Sequence, residues 1–141
     1  MSNTQGRAGT GPTSPSEPPP GAVGPAVIDA GAIARLHELD PSGAQGVVQR
    51  VLSAYHGSLE RHLSDIAAAA LAGDGNRLVH SVHTLKSSSA AVGALDFSSR
   101  CADAEHRIRN DRQMPDAADV EALIHEGRRV LAAVGAMLPS R

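Results

Sequence analysis

Between Ala44 and Ala72 apolar side chains return every three or four residues: Val48, Val51, Leu52, Tyr55, Leu59, Leu63, Ile66 and Ala70. An α-helix brings that spacing onto one face, whereas a strand would need strict alternation. Gly57 lies inside the run and costs ~1 kcal/mol in a helix interior, too little to break a pattern this long. Tyr55 and Phe97 are the only Phe, Tyr or Trp residues in the chain. A sheet so poor in aromatic residues would pack badly, while abundant alanine and leucine favour helices. The chain reads as all-α.

Four more helices follow from periodicity and punctuation. Asp29 caps a short one carrying Ile33, Leu36 and Leu39, which stops near Asp40-Pro41 because the residue before proline is driven out of the helical region. Gly73-Asp74-Gly75 ends the long helix, and a third runs from Asn76 to Val92 and ends at Gly93. A fourth starts near Asp96, its expected cap, and carries Phe97, Cys101, Ala104 and Ile108 as far as Asn110. After Pro115-Asp116 a fifth presents Val120, Leu123, Ile124, Gly127, Val130, Leu131, Val134 and Leu138. Short connections favour antiparallel neighbours. The expected fold is an up-down antiparallel four-helix bundle with a short extra N-terminal helix, over residues 26–141. Residues 1–25 are rich in Gly, Pro, Ser and Thr and are expected to form a disordered tail.

With 141 residues the chain suits one core, and a net charge of −2 gives no bulk attraction to nucleic acid. The single cysteine, Cys101, excludes an intrachain disulfide and a cysteine-rich zinc site, and reads as a buried apolar residue. Seven histidines raise the question of metal. Neither H-E-x-x-H nor the Glu-x-x-His pairs of bundle di-metal sites occur, so no metal is expected. Arg107, Arg109 and Arg112 read as a solvated helix end, where cations favour the dipole. No apolar run is long enough for a membrane span, and the N-terminal segment lacks a signal-peptide core. A cytoplasmic location is expected.

The stretch that carries chemistry is HSVHTLKSSSAAVGA, residues 80–94. With ~100° of rotation per residue, Leu78, Val82, Leu85, Ser89 and Val92 form the buried stripe, Ser89 being small enough for close helix approach. His83 lies ~140° from its centre, with Lys86 one turn along. Asn76, Val79, His80, Ser87 and Ala90 surround the ring, a face better suited to docking than to solvent. Counting outward from the Gly73–Gly75 turn sets His83 beside the Leu63–Ala67 level of the long helix. That adds Glu60, Ser64, Ala67, Ala68 and Leu71 to the expected docking surface. An open imidazole with a nearby cation suits holding a phosphoryl group on nitrogen.

These residues resemble the signature of histidine-containing phosphotransfer (HPt) domains, H-x-L-K-G followed by small residues and a later G-A. The likeness extends over Asp29 to Asn110, with the Cys101/Glu105 region in keeping. It implies that His83 is the phosphoacceptor, Lys86 its charge partner and Gly93-Ala94 a structural end to the helix. The chain departs from the signature at Ser87, where the family usually has glycine. The resemblance further implies a multistep two-component phosphorelay. A receiver-domain aspartate of a hybrid histidine kinase gives its phosphoryl group to His83, which passes it to the receiver of a response regulator. The domain would be a monomeric carrier rather than an enzyme, without a cofactor of its own, Mg²⁺ residing on the receiver. The rival reading is a non-phosphorylated helical adaptor that binds a receiver or kinase.

Overall fold

A computed structural model describes residues 27–139; the expected tail, 1–25, lies outside them. Five helices make up the regular structure of the described residues: α1 (Ala30–Glu38), α2 (Val47–Ala72), α3 (Gly75–Val92), α4 (Leu95–Asn110) and α5 (Ala117–Ala136). The last four form the up-down bundle, each flanked by two others in the order α2, α3, α4, α5 and back to α2. Leu59, Ile66, Leu78, Val82, Leu85, Phe97, Val130 and Val134 fill its centre with almost no exposure. Cys101 joins them, and burial pushes its thiol up to about 12, which leaves it protonated and inert.

Asp29, Asp74 and Asp116 cap α1, α3 and α5 by accepting from the amides of Ala32, Arg77 and Asp119. Two boundaries differ from expectation. Helix α2 begins at Val47 rather than Ala44, because the buried Asp40 carboxylate takes the amides of Gln45 and Val47 and holds the intervening loop. Those bonds, chiefly the one from Val47, keep its carboxyl below the ordinary value. Helix α4 is capped by Ala94; Asp96 sits in its first turn and pairs with Arg100 at 3.1 Å. Leu39, expected on the apolar stripe of α1, is 69% exposed beyond the helix end.

Two glycines permit close approach. Gly93 has φ +92 and ends α3; a Cβ there would lie 2.9 Å from both the Ala32 Cβ and the Asp29 carbonyl. That space admits α1, whose Asp29 amide donates to the Gly93 carbonyl at 2.8 Å. At Gly127 a Cβ would stand 2.5 Å from Leu63 Cδ2, so its absence lets α5 settle against α2.

Three pairings set the register of α2 against α3. Arg77 donates to Asp65 at 3.1 Å, His62 Nδ1 and Ser81 Oγ share a hydrogen bond of 3.2 Å, and Tyr55 and Ser89 hydroxyls share one of 2.7 Å. They place His83 level with Leu59 to Arg61, about one helical turn from the expected Leu63–Ala67. The chain reverses sharply: Gly73 is left-handed and the Asp74 amide bonds back to the Ala69 carbonyl. Helix α3 therefore starts before the last turn of α2 is passed, and Leu71 overhangs at 92% exposure.

Candidate functional site

Helix α4 delivers to α3 a row of polar side chains spaced one heptad apart. Ser98 Oγ donates to the Lys86 carbonyl at 2.7 Å, fixing the α3 backbone beside the site. Seven residues on, Glu105 reaches the side chains of the same stretch. Its Oε2 accepts from His83 Nδ1 at 2.8 Å and from Arg109 Nε at 3.1 Å, and its Oε1 accepts from Lys86 Nζ at 2.7 Å. Two residues past the end of α4, Arg112 lines the same recess as His83. A single carboxylate thus gathers donors from one residue of its own helix and two of the neighbouring one.

Burial separates the roles of these groups. The Glu105 side chain is 10% exposed and that of His83 53%. A buried carboxylate needs its charge matched, and Lys86 supplies the largest share. The Lys86 hydrogen bond holds the Glu105 carboxyl below its ordinary value against the opposing pull of burial, and the His83 bond adds to it. Glu105 is therefore ionised at neutral pH and can only accept. The hydrogen of that short bond belongs to Nδ1. In a neutral ring the lone pair then resides on Nε2.

The recess beside the ring, about 460 Å³, is walled by Asn76, Val79, His80 and His83 from α3, by Ile108 and Arg109 from α4 and by Arg112 from the segment that follows α4. Among the residues expected around His83, His80, Ser87 and Ala90 are exposed on α3. Val79 is not; it is only 9% exposed. It lies ~100° from Leu78, on the flank that α4 covers, so it forms a wall of the recess rather than part of the open face.

The α2 residues do not join the group. Glu60, Ser64 and Ala67 line a groove against Ile124, Arg128 and Leu131 of α5, on the side of the bundle away from α4. Ala68 is exposed, and Leu71 stands on the overhanging end. The flank of α2 that meets α3 instead carries His62 and Asp65. Arg107 and Arg109 are also more than a solvated helix end, pairing with Asp119 at 3.6 Å and with Glu105. Among the described residues no group of three or more His, Cys, Asp or Glu is arranged to hold a metal, and no helix is long and apolar enough to cross a membrane.

Glu105 and Arg109 are the members of this cluster that sequence reasoning did not place there. The signal was present. Glu105 lies four residues after Cys101 and three before Ile108, which puts a carboxylate on the inward side of α4. Such a group needs a cation.

A family model described as the Hpt domain matches residues 50–136, well over half of the chain. The chain belongs to the Hpt family. The crystal structure of histidine-containing phosphotransfer protein B (HptB) from Pseudomonas aeruginosa PAO1 is similar to it, with a TM-score of 0.63 and 25% identity. The likeness covers 79% of this chain and 90% of that one. No curated protein matches. Membership of the Hpt family gives the chain a histidine phosphotransfer role in two-component signalling, as a phosphoryl-carrying module that interacts with receiver domains.

Proposed function

We propose that this chain is the intermediate of a multistep phosphorelay, with His83 as its phosphoacceptor. The group arrives from the phosphoaspartate of a hybrid kinase's receiver domain and leaves for the receiver of a response regulator. The observation that carries this reading is the His83–Glu105 bond. It engages Nδ1 and leaves the lone pair of a half-exposed ring on Nε2. That nitrogen attacks phosphorus in line as the aspartyl oxygen departs. Little covalent chemistry falls to the protein, so positioning and charge compensation dominate.

Lys86 is the charge partner. Its ammonium has three donors, one of them on Glu105 Oε1, and the others are free for phosphoryl oxygens. Two unit charges ~4 Å apart attract by a few kcal/mol at an effective dielectric of ~20, before desolvation is subtracted. The receiver covers His80, Ser87 and Ala90 and meets Arg109 and Arg112 at the edge of the recess. It brings the Mg²⁺, and the carrier works as a monomer. Incubation with a panel of phosphorylated receiver domains tests the reading. Radiolabel should pass from some of them to this chain and from it to a second receiver. Failure of every receiver to donate would favour a non-phosphorylated adaptor.

A further inference from the structure

Three groups crowd one carboxylate beside the proposed phosphoacceptor, and the consequence for the ring concerns its second nitrogen. We propose that Glu105 keeps the Nδ1 proton of His83 in place throughout the relay, so that the phosphorylated ring stays a cation and a competent phosphoryl donor into the alkaline range. The inference rests on His83 being the phosphoacceptor and concerns how far up in pH that site can hand its group on.

The balance of the two half-reactions gives the reason. On acceptance, the Nε2 lone pair forms the N–P bond. The Oδ–P bond of the receiver's acyl phosphate breaks, and its electron pair leaves with the aspartate carboxylate. The ring gains one positive charge and retains hydrogen on Nδ1. On donation, a carboxylate oxygen of the second receiver forms an O–P bond, the N–P bond breaks and its pair returns to Nε2. The ring is again neutral with the same hydrogen on Nδ1. No proton enters or leaves in either direction. If Nδ1 lost its proton in between, donation would have to expel imidazolate, a far poorer leaving group than imidazole.

The surroundings place that duty on Glu105. His83 Nδ1 meets its Oε2 at 2.8 Å, with the carboxylate side chain 10% exposed and the ring 53% exposed. Apart from Asp65, the other ionisable groups near the ring are basic. On α3 these are His80 and Lys86, on α4 Arg109, and just beyond α4 Arg112. On α2, His62 lies beyond His80 with ring centres 6.1 Å apart, and Asp65 is paired to Arg77. Each cation works against a positive ring. Lys86 and Arg109 direct their nearest donors to the Glu105 oxygens, which blunts that opposition. The carboxylate therefore positions the ring and holds its proton without touching the reacting atoms.

The test uses the full chain phosphorylated by a phospho-receiver, then mixed with a second receiver in single turnover from about pH 6 to about pH 9. Parent, Glu105→Gln and Glu105→Asp are compared with the same receiver. Donation by the Gln variant should fail at a pH about one unit or more below the parent, so the parent-to-variant rate ratio widens by up to about tenfold per pH unit. The Asp variant should keep the parent's profile at a reduced rate. A parent-to-Gln ratio that stays constant across pH overturns the proposal, since lost packing alone lowers the rate evenly. If the Gln variant does not fold, ¹⁵N spectra of the phosphorylated parent decide. Nδ1 still protonated near pH 8.5 supports the proposal, and loss of the proton where an unfolded phosphohistidine peptide loses it overturns it. Label that survives His83→Gln would sink both this inference and the phosphoacceptor assignment, whereas an unshifted profile on a His83-labelled protein sinks this inference alone.

Discussion

Lys86 Nζ lies 2.7 Å from Glu105 Oε1 across the α3–α4 groove, while Oε2 of the same carboxylate accepts from the imidazole one turn earlier. Lys86 and His83 are thus fixed relative to each other through a third group on another helix. Helical spacing gives His83 and Lys86 a shared flank, and Glu105 turns it into a defined geometry.

Removing the cation should show in transfer before it shows in stability. The Lys86 side chain is 37% exposed, and pairs that open contribute at most about 1 kcal/mol to folding. Lys86→Ala should slow acceptance about tenfold, equivalent to ~1.4 kcal/mol of barrier, and make the rate less sensitive to salt. Stopped-flow transfer at two ionic strengths checks this. A variant matching the parent at low salt would reduce Lys86 to a solvated lysine.

Ser87 borders the approach to the ring and is exposed. Replacing it with glycine opens space for a receiver and costs ~0.5 kcal/mol or less in helix propensity. Ser87→Gly should therefore raise the single-turnover rate while slightly lowering the melting temperature. Slower transfer by both the Gly and the Ala variant would mean that the hydroxyl, rather than crowding, matters there.

Acid should weaken the α3–α4 contact through Glu105. Its carboxyl is held below the ordinary 4.5 in the folded chain, chiefly by Lys86. The resulting stabilisation is complete above that ordinary value and is lost as pH falls from there through the depressed folded value. Urea midpoints measured downward from about pH 6 should fall more steeply for the parent than for Glu105→Gln. Asp40, shifted in the same direction by the α2 loop amides, leaves a residual slope in both. Parallel curves would contradict this role of Glu105.

Gly93 joins α3 to α1. Alanine there would adopt φ +92 and press its Cβ to 2.9 Å from Ala32 Cβ and the Asp29 carbonyl. Gly93→Ala should cost ~1–3 kcal/mol and release α1, seen as faster hydrogen exchange at the Asp29 amide. Unchanged exchange with unchanged stability would show that α1 docks independently of this glycine.

How much of this was legible in the sequence depends on how far apart the interacting residues lie. The five helices follow from local periodicity, and Gly93 and the aspartate cap at 29 follow from backbone needs visible in short windows. The outward placement of His83 and Ser87 and the burial of Ser89 follow from rotation within one helix. The Glu105 cluster does not, because a contact 22 residues apart requires knowing how α3 and α4 pair. The α2 docking residues were misplaced for a related reason. Equal counting from the turn ignores the sharp reversal at Gly73-Asp74, and it carries no information about which flank of α2 meets α5. Val79 was misplaced because a stripe read from α3 alone does not show how far α4 wraps its edge.

Whether the phosphoryl group resides on His83 is decided by a comparison of two chains. Parent and His83→Gln are each mixed with a labelled phospho-receiver, and the transferred label is challenged with acid and with base. An exposed side chain contributes little packing, so the variant should keep its helicity and melting temperature nearly unchanged. Label on the parent should be acid-labile and base-stable, as for nitrogen-linked phosphate; His83→Gln should carry none, and His80→Ala should retain it. Label persisting on His83→Gln, or acid-stable label pointing to a hydroxyl such as Ser87 or Ser88, would contradict the assignment to His83.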